Sequence, residues 1–587
     1  MRTTVTLTPA EKEALVCAAV LGRRFSTGLV EELAGRPAAA ALDGLVDRGL
    51  LERQGPHQLA FRNDLTLSAA YGLLPDEERG VLHRTAADRL GNSPSYRPGQ
   101  DDAVIARHLE LAGDAIAAAD CYARAAAHAV EVGGTQDAYR QLTRALKLLP
   151  ASEHARRFAA RSQREEVLRR LARRPAQRRE IDAMRKEAEA LGDPGRLALA
   201  YSRMAQFYID VRRLPAALGA VEPALGFARE AGAPRAEAEA LRLRADIARQ
   251  SGQNAEALML CDQALGLCGT GSEGLEERAV ILNTRGSALW NTARLHEALD
   301  AYAETLVIYR MLKLSRLEAR ALNNMGMVLA ALGEAEEALA HYKSSLKLDQ
   351  ALGDRSSIAL KLGNIGQCYA DLGEIERGER YLSKALTVCQ EIGERANTAE
   401  VLVSLGQVQL QRGEPVRALE LFERGLAQAV RDHDSFQQVR ALIYVCLAQL
   451  ECGVPPDRVL EAARSATRMA HETLMAIGEI YGLAVQGMAL ARIGRALEGA
   501  EMTSRAVDLQ RETQQPEGSE QILHFHARVC ELAGRIDDAR EALRRGLAEV
   551  ERKAARLTDA ELRATYLAAK VPRLLADGYA RLIDQAG

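Results

Sequence analysis

Three stretches of the chain align without a gap: NNMGMVLAALGEAEEALAHYKSSLKL from Asn323, GNIGQCYADLGEIERGERYLSKALTV from Gly363 and VSLGQVQLQRGEPVRALELFERGLAQ from Val403. Their turn glycines, Gly333, Gly373 and Gly413, belong to a longer series that runs through Arg212, Gly252, Ala293, Gly453, Gly494 and Gly534, with Ala172 upstream. From Arg212 onward the steps are 40, 41, 40, 40, 40, 40, 41 and 40 residues. Such a period leaves the chain one class of fold. A unit of this length is a single supersecondary element that cannot bury its apolar face alone, so neighbours must stack and share a continuous core. The 587 residues exceed what one compact core serves, and stacking lets length extend the core unit by unit.

Each unit reads as two helices, in keeping with a chain rich in Ala, Leu, Glu and Arg and with only 4% aromatic residues. A small residue stands seven positions before the turn (Gly286, Gly326, Gly366, Gly406, Gly487), where glycine costs helix propensity that only a close neighbour justifies. Another stands five positions after it, as in Ala298, Ala338, Gly378 and Ala418, and a large residue follows four later in Tyr302, Tyr342, Leu382 and Phe422. Small is expected to meet large across the hairpin. The pattern resembles the tetratricopeptide repeat (TPR) over roughly residues 155 to 550, at 40 residues per unit where the usual unit has about 34. Pro455 and Pro456 interrupt one unit, and Pro456 can open a helix without losing a bond.

The head of the chain has its own pattern. In TPAEKEALVCAAVL, Thr8 is placed to cap, Pro9 to open the helix and Glu11 to complete a capping box. Short helices fit Thr27 to Ala34 and Ala38 to Arg48, and GLLERQGPHQLAFRND gives two extended runs split by Gly55 and Pro56. Three helices and a hairpin predict a winged-helix domain over 1–62. Its third helix displays Asp43 and Asp47 against the single Arg48, a poor face for phosphates, so DNA is disfavoured as a partner. Residues 63–150 follow as a helical connector with atypical TPR-like hairpins, then a TPR array over 151–550 and capping helices over 551–587. In the cap, Leu562, Tyr566, Leu567, Val571, Leu574 and Leu575 are expected on one side of a helix pair broken at Pro572.

The succession AAVLGRRFSTGLVEELAG, ALDGLVDRGLLERQG, LAFRNDLTLSAAYGLLPDEERGVLHRTAADRL and VIARHLELAGDAIAAADCYARAA resembles the region after the nucleotide-binding domain of STAND-type signalling ATPases. In that family a P-loop ATPase precedes a winged helix and TPRs. Phe61, Arg62, Asp64, Ala70, Tyr71, Leu74, Arg79 and His83 fall on its linker pattern, and Asn63 stands where many members carry histidine. The chain has no G-x-x-x-x-G-K-[ST] motif and no Gly-Lys dipeptide, so it lacks the phosphate cradle. The resemblance implies an adaptor for a nucleotide-switch domain supplied in trans, lost, or outside the chain's boundaries.

No catalytic constellation stands out: there is no H-E-x-x-H, no G-x-S-x-G and no kinase signature set. No catalytic residue, cofactor or metal is therefore assigned, and no enzyme activity is expected. The nine cysteines form no C-x-x-C pair and read as buried, reduced thiols. With no stretch of about 18 apolar residues and no signal-like start, the expectation is a cytoplasmic protein without membrane contact. The net charge of −3 steers it to no class of polyanion.

Two features suggest partners. Polar side chains recur two positions before the small residue of the first helix, at Thr284, Asn324, Asn364, Ser404 and Tyr444. Amides at a fixed place suit either bonding within the array or an exposed groove that engages peptide backbone. The candidate groove comprises Arg320, Asn324, Met327, Asn364, Gln367, Ser404, Gln407, Arg440 and Tyr444, and its arginines favour an acidic or carboxylate feature. The second feature is a run of ten arginines between Arg156 and Arg179 against Glu165 and Glu166. Arg156, Arg157, Arg169, Arg170, Arg173, Arg174, Arg178 and Arg179 form either a solvated face or a patch for an acidic protein or nucleic acid. The functional expectation is a non-catalytic scaffold or sensor in bacterial signal transduction that binds a protein or peptide, including an ATPase or kinase supplied in trans. The alternatives are a DNA-binding regulator using the winged helix, or a non-catalytic subunit of a split STAND ATPase or kinase complex.

Overall fold

A computed structural model describes residues 7–269, 271–393, 397–432, 434–473, 475–514 and 516–584. The first six residues of the expected N-terminal domain and the last three of the expected cap lie outside these. Among the described residues the chain forms thirty α-helices and three short strands, an all-α architecture of repeated hairpins in a TPR-like solenoid. It divides into two compact units, Met1–Ala236 and Glu237–Gly587.

The first unit opens with α1 (Pro9–Leu21), β1 (Arg24–Ser26), α2 (Thr27–Ala34), α3 (Ala39–Asp47), β2 (Leu51–Gly55) and β3 (Gln58–Phe61). The capping box forms as the residues dictate: Glu11 N–H donates to Thr8 Oγ1 at 3.2 Å, and Thr8 N–H donates to Glu11 Oε2 at 2.7 Å. The strands form one antiparallel sheet in the order β1-β3-β2. Strand β1 was not legible in the sequence, since Arg24-Phe25-Ser26 is too short to show alternation. Phe25 and Phe61 pack ring to ring at 5.7 Å beneath the helices, with Leu42, Leu45 and Leu59 closing the core. Next come α4 (Asp64–Gly72), α5 (Asp76–Gly91) and α6 (Asp102–Leu111), then the helices Ala115–Glu131 and Thr135–Leu148. Gly113 and Gly133 take positive φ at the two tight turns, which explains their half-period spacing: each connects one helix to the next. Two full hairpins, His154–Arg170 with Arg174–Leu191 and Pro194–Asp210 with Leu214–Glu230, complete the unit.

The second unit contains eight hairpins, from Pro234–Gln250 with Asn254–Gly266 to Ser519–Leu532 with Ile536–Ala554. The predicted turn positions share one conformation. The glycines from Gly252 to Gly534 have φ between 74° and 86°, and the three non-glycines in the series, Ala172, Arg212 and Ala293, also take positive φ, at 53°, 55° and 56°. The small residues of the first helices do what the pattern requires. A Cβ placed on Gly286 or Gly326 would lie 2.7 Å from Tyr302 or Tyr342, and one on Gly366 would lie 2.7 Å from Leu382. Pro456 is the first residue of its helix, so the interrupted unit keeps the hairpin form.

The C-terminal helices, Ala560–Leu567 and Lys570–Asp584, correct one expectation. The break falls at Ala568 and Ala569, and Pro572 sits in the first turn of the second helix, where a missing N–H has no intrahelical acceptor to lose. Tyr566 and Leu575 are buried, while Leu567 is exposed and does not share their face.

Candidate functional site

Six of the nine residues singled out as a groove line two neighbouring cavities of the second unit. Gln367, Gln407, Arg440 and Tyr444 line a cavity of about 520 Å³. Asn364, Gln367, Ser404 and Arg440 line a second, smaller depression beside it. Arg440 ties the two together: its guanidinium donates to Gln407 Oε1 at 3.1 Å and Ser404 Oγ at 3.4 Å, with Glu400 at 3.7 Å. Arg320, Asn324 and Met327 line neither. The asparagines also form a ladder between repeats, Asn324 donating to Asn283 Oδ1 at 3.1 Å and Asn364 to Asn323 Oδ1 at 2.9 Å. Part of their hydrogen-bonding capacity therefore serves stacking.

The large cavity is closed by groups that the sequence reading did not assign to the groove. The helix Ile536–Ala554 and the segment after it return to the turns of hairpins more than 200 residues earlier. Arg556 donates to the Leu332 carbonyl at 2.8 Å and pairs with Glu334 at 2.6 Å. Glu336 accepts from Thr558 and, at 2.7 Å, from the Asp559 N–H. Lys570 Nζ donates to the Leu410 carbonyl at 3.1 Å, and a Cβ on Gly373 would meet the Thr565 carbonyl at 3.0 Å. The chain's own C-terminal helices thus roof the cavity, contributing Tyr566, Lys570 and Leu574 to its lining.

Inside, the charges are unevenly committed. Lys553 bonds both oxygens of Glu520 at 2.8 Å, and Tyr566 donates to the same carboxylate at 3.3 Å. Arg492 donates to the Leu450 carbonyl. Asp371 accepts from Gln367 Nε2 at 2.8 Å, and it is open to the cavity yet walled in by protein. Loss of bulk solvent pushes its pKa up to about 7, with Glu517 adding to the rise and Lys553 and Arg440 opposing it. Tyr444 lies between Phe422 at 5.3 Å and Tyr481 at 6.4 Å, and burial raises its hydroxyl to about 12. His524 lines the far part of the cavity, and burial followed by Arg528 and Lys570 depresses it to about 4.

Asp371, Gln411, Glu451 and Arg492 carried a usable signal, because each stands two positions before its turn glycine and together they form a row along the cavity. His524, Lys553, Tyr566 and Lys570 carried none, since a repeat period speaks only of adjacent units.

The arginine run of the first unit is largely paired internally. Arg157 and Arg161 bond Glu187, Arg161 and Arg164 bond Glu180, and Arg156 reaches Glu153 and Asp120. Arg170 pairs with Glu166, Arg174 with Asp210 and Arg178 with Asp182. Arg173 bonds Gln136 and stacks over Tyr139, Arg169 lies beside Glu165, and Arg179 is exposed. The run thus bonds carboxylates contributed mainly by neighbouring helices. The linker residues are also engaged with one another. Asn63 caps α4 through Thr66 N–H at 2.8 Å, Arg79 donates to the Leu74 carbonyl at 2.7 Å, and His83 is buried between Tyr71 and His108, each at 2.8 Å. Arg48 and Arg53, which follow α3, pair with Glu11 and Asp43, and Arg36, which precedes it, pairs with Glu13.

Residues 277–351 and 357–429 match the tetratricopeptide repeat family. No curated protein matches the chain. Among solved structures, it is similar to a signal transduction ATPase with numerous domains (STAND) protein with a tetratricopeptide repeat sensor from Pyrococcus horikoshii, with 14% identity and a TM-score of 0.49. That likeness covers 73% of this chain and 65% of the other, so the chain spans about two thirds of that protein's length. A Rap protein complexed with competence and sporulation factor is similar at 16% identity over 63% of this chain and 100% of the other, with a TM-score of 0.47. Aspartyl phosphate phosphatase F from Bacillus subtilis follows at 12% identity over 62% and 95%, with a TM-score of 0.43. Likenesses this distant do not bear on function.

No helix among the described residues is long and apolar enough to cross a membrane.

Proposed function

We propose that the chain is a non-catalytic interaction scaffold or sensor in signal transduction, and that it binds a peptide or protein partner on the concave face of its second unit. The observation that carries this reading is the cavity of about 520 Å³ lined by Gln367, Gln407, Arg440 and Tyr444, on repeats that match a family of helical-hairpin repeats. Superhelical repeats expose such faces for extended contact. The resemblance of residues 61–83 to the STAND linker favours an ATPase or kinase in trans as the partner. DNA contact by the N-terminal module, read as a winged helix, has less support because Arg48 and Arg53 are already paired.

Copurification from native cells, comparing wild type with Gln407→Ala/Arg440→Ala, tests the reading. The double variant is expected to keep its helicity and to bind the partner more weakly by about 1–3 kcal/mol. Undiminished capture by a folded double variant, with loss on mutating the arginine-rich helices instead, would overturn the assignment.

A further inference from the structure

We propose that residues 556–570, the middle of the roof, are an autoinhibitory flap: they cover the face assigned above to the partner, which reaches Gln407 and Arg440 only when they lift. This rests on that reading and adds its regulation. Flap and face line one space, with Leu557, Tyr566 and Lys570 on one side and Gln367, Gln407 and Tyr444 on the other. A cavity of about 520 Å³ has the size of a small-ligand site. A standard protein interface covers about 800 Å² on each partner, so a protein surface does not fit beneath the closed flap.

The flap is held differently from the chain on either side of it. Before it, Ile536–Ala554 is the second helix of the last hairpin. After it, Lys570–Asp584 is anchored by apolar packing: Leu575 and Leu582 are buried, a Cβ on Gly546 would lie 2.7 Å from Leu575, and one on Gly578 would lie 3.2 Å from Leu543. Between these anchors, the helix Ala560–Leu567 buries only Tyr566 of its eight residues. The flap's attachments are polar: Arg556 to the Leu332 carbonyl and Glu334, Thr558 and the Asp559 N–H to Glu336, and Tyr566 to Glu520. Polar contacts exchange for water at small net cost, and little apolar surface must be exposed, so the flap opens more readily than either anchor. Its closest approach to the array is at Gly373, where a Cβ would lie 3.0 Å from the Thr565 carbonyl and 3.1 Å from Ala569 Cβ.

The test uses the full chain and a native reporter, Cys368, which lines the cavity and is 5% exposed. Cys389, buried away from the cavity lining, is the control for global opening. Modification of Cys368 by N-ethylmaleimide, mapped by mass, should accelerate about tenfold in Glu336→Ala and in Arg556→Ala, with Cys389 unmodified. Gly373→Cys/Ala569→Cys should fix the flap shut on oxidation, because the two Cβ positions are within a small adjustment of disulfide geometry. Side chains already stand at the same turn position in Ala172, Arg212 and Ala293. In the oxidised form Cys368 should react about tenfold more slowly than in the reduced form. Cys368 modification that is unchanged in both release variants, or that rises only together with Cys389, overturns the proposal. A partner retained equally by the oxidised and reduced forms, yet lost with Gln407→Ala/Arg440→Ala, also overturns it and leaves the reading of the face standing. A partner indifferent to Gln407→Ala/Arg440→Ala overturns that reading and, with it, the inhibitory role of the flap.

Discussion

A methyl group has no room at Gly406, because its Cβ would run into the ring of Phe422. At Gly219, also inside a helix, nothing lies within 4 Å of the same atom. Gly406→Ala should therefore cost about 1–3 kcal/mol through overpacking, whereas Gly219→Ala should gain about 0.5–1 kcal/mol from helix propensity. Denaturant midpoints of the two variants check the opposite signs. The turn positions reverse the logic. Ala293 and Arg212 hold positive φ that glycine adopts freely, so Ala293→Gly and Arg212→Gly should be neutral or stabilising by up to about 1 kcal/mol, measured in the same way. These positions were legible because hairpin turns and helix crossings are local demands, repeated often enough for the one tolerated residue type to show as a period. Their place in the period was legible even where the glycine is missing, since Ala172, Arg212 and Ala293 keep the register; their positive φ is the structure's addition.

Between elements, legibility depended on whether a contact repeats. The Asn324–Asn283 and Asn364–Asn323 bonds arise from recurring positions, and the sequence showed the recurrence without deciding between stacking and ligand contact. The knot joining α4, α5 and α6 occurs once and showed only as part of a family likeness. There His83 shares hydrogen bonds with Tyr71 and His108, and both imidazoles are buried. Burial first, then Arg107 and Arg79, depresses His83 to about 4. Burial, then His83 and Arg107, does the same for His108. Because the folded values lie below the ordinary 6.5, the stability from neutral histidine is complete above that pH. It declines as pH falls from 6.5 towards 4, by up to ~3 kcal/mol for the first proton taken up. Hydrogen exchange across residues 64–111 should accelerate in that window, and His83→Gln/His108→Gln should be less protected at neutral pH but flatter in its pH dependence. A wild-type profile unchanged between pH 6.5 and 4 would remove the histidines from this role.

At the scale of the second unit, the roof over the cavity is what the repeat pattern could not announce. Periodicity states how each hairpin meets the next, whereas the meeting of residues 332–336 with 552–559 follows from how small rotations accumulate over six hairpins. The attachment is polar and narrow. Glu336 takes two hydrogen bonds from Thr558 and Asp559, which lower its pKa although desolvation opposes them. Removing that acceptor should loosen the roof without unfolding the array, because local openings cost less than the global transition where few apolar contacts must break. Glu336→Ala should thus weaken the attachment by about 1–3 kcal/mol. The effect should appear as faster hydrogen exchange in Ala560–Leu567, with the first-unit hairpin Pro194–Asp210 and Leu214–Glu230 unchanged. The same segment should loosen in the wild type as pH falls below the ordinary glutamate value of 4.5, since a depressed folded pKa gives stability that is present above that value and lost beneath it. If exchange in Ala560–Leu567 is indifferent to both, the roof is held by the burial of Tyr566 and Leu575 rather than by Glu336.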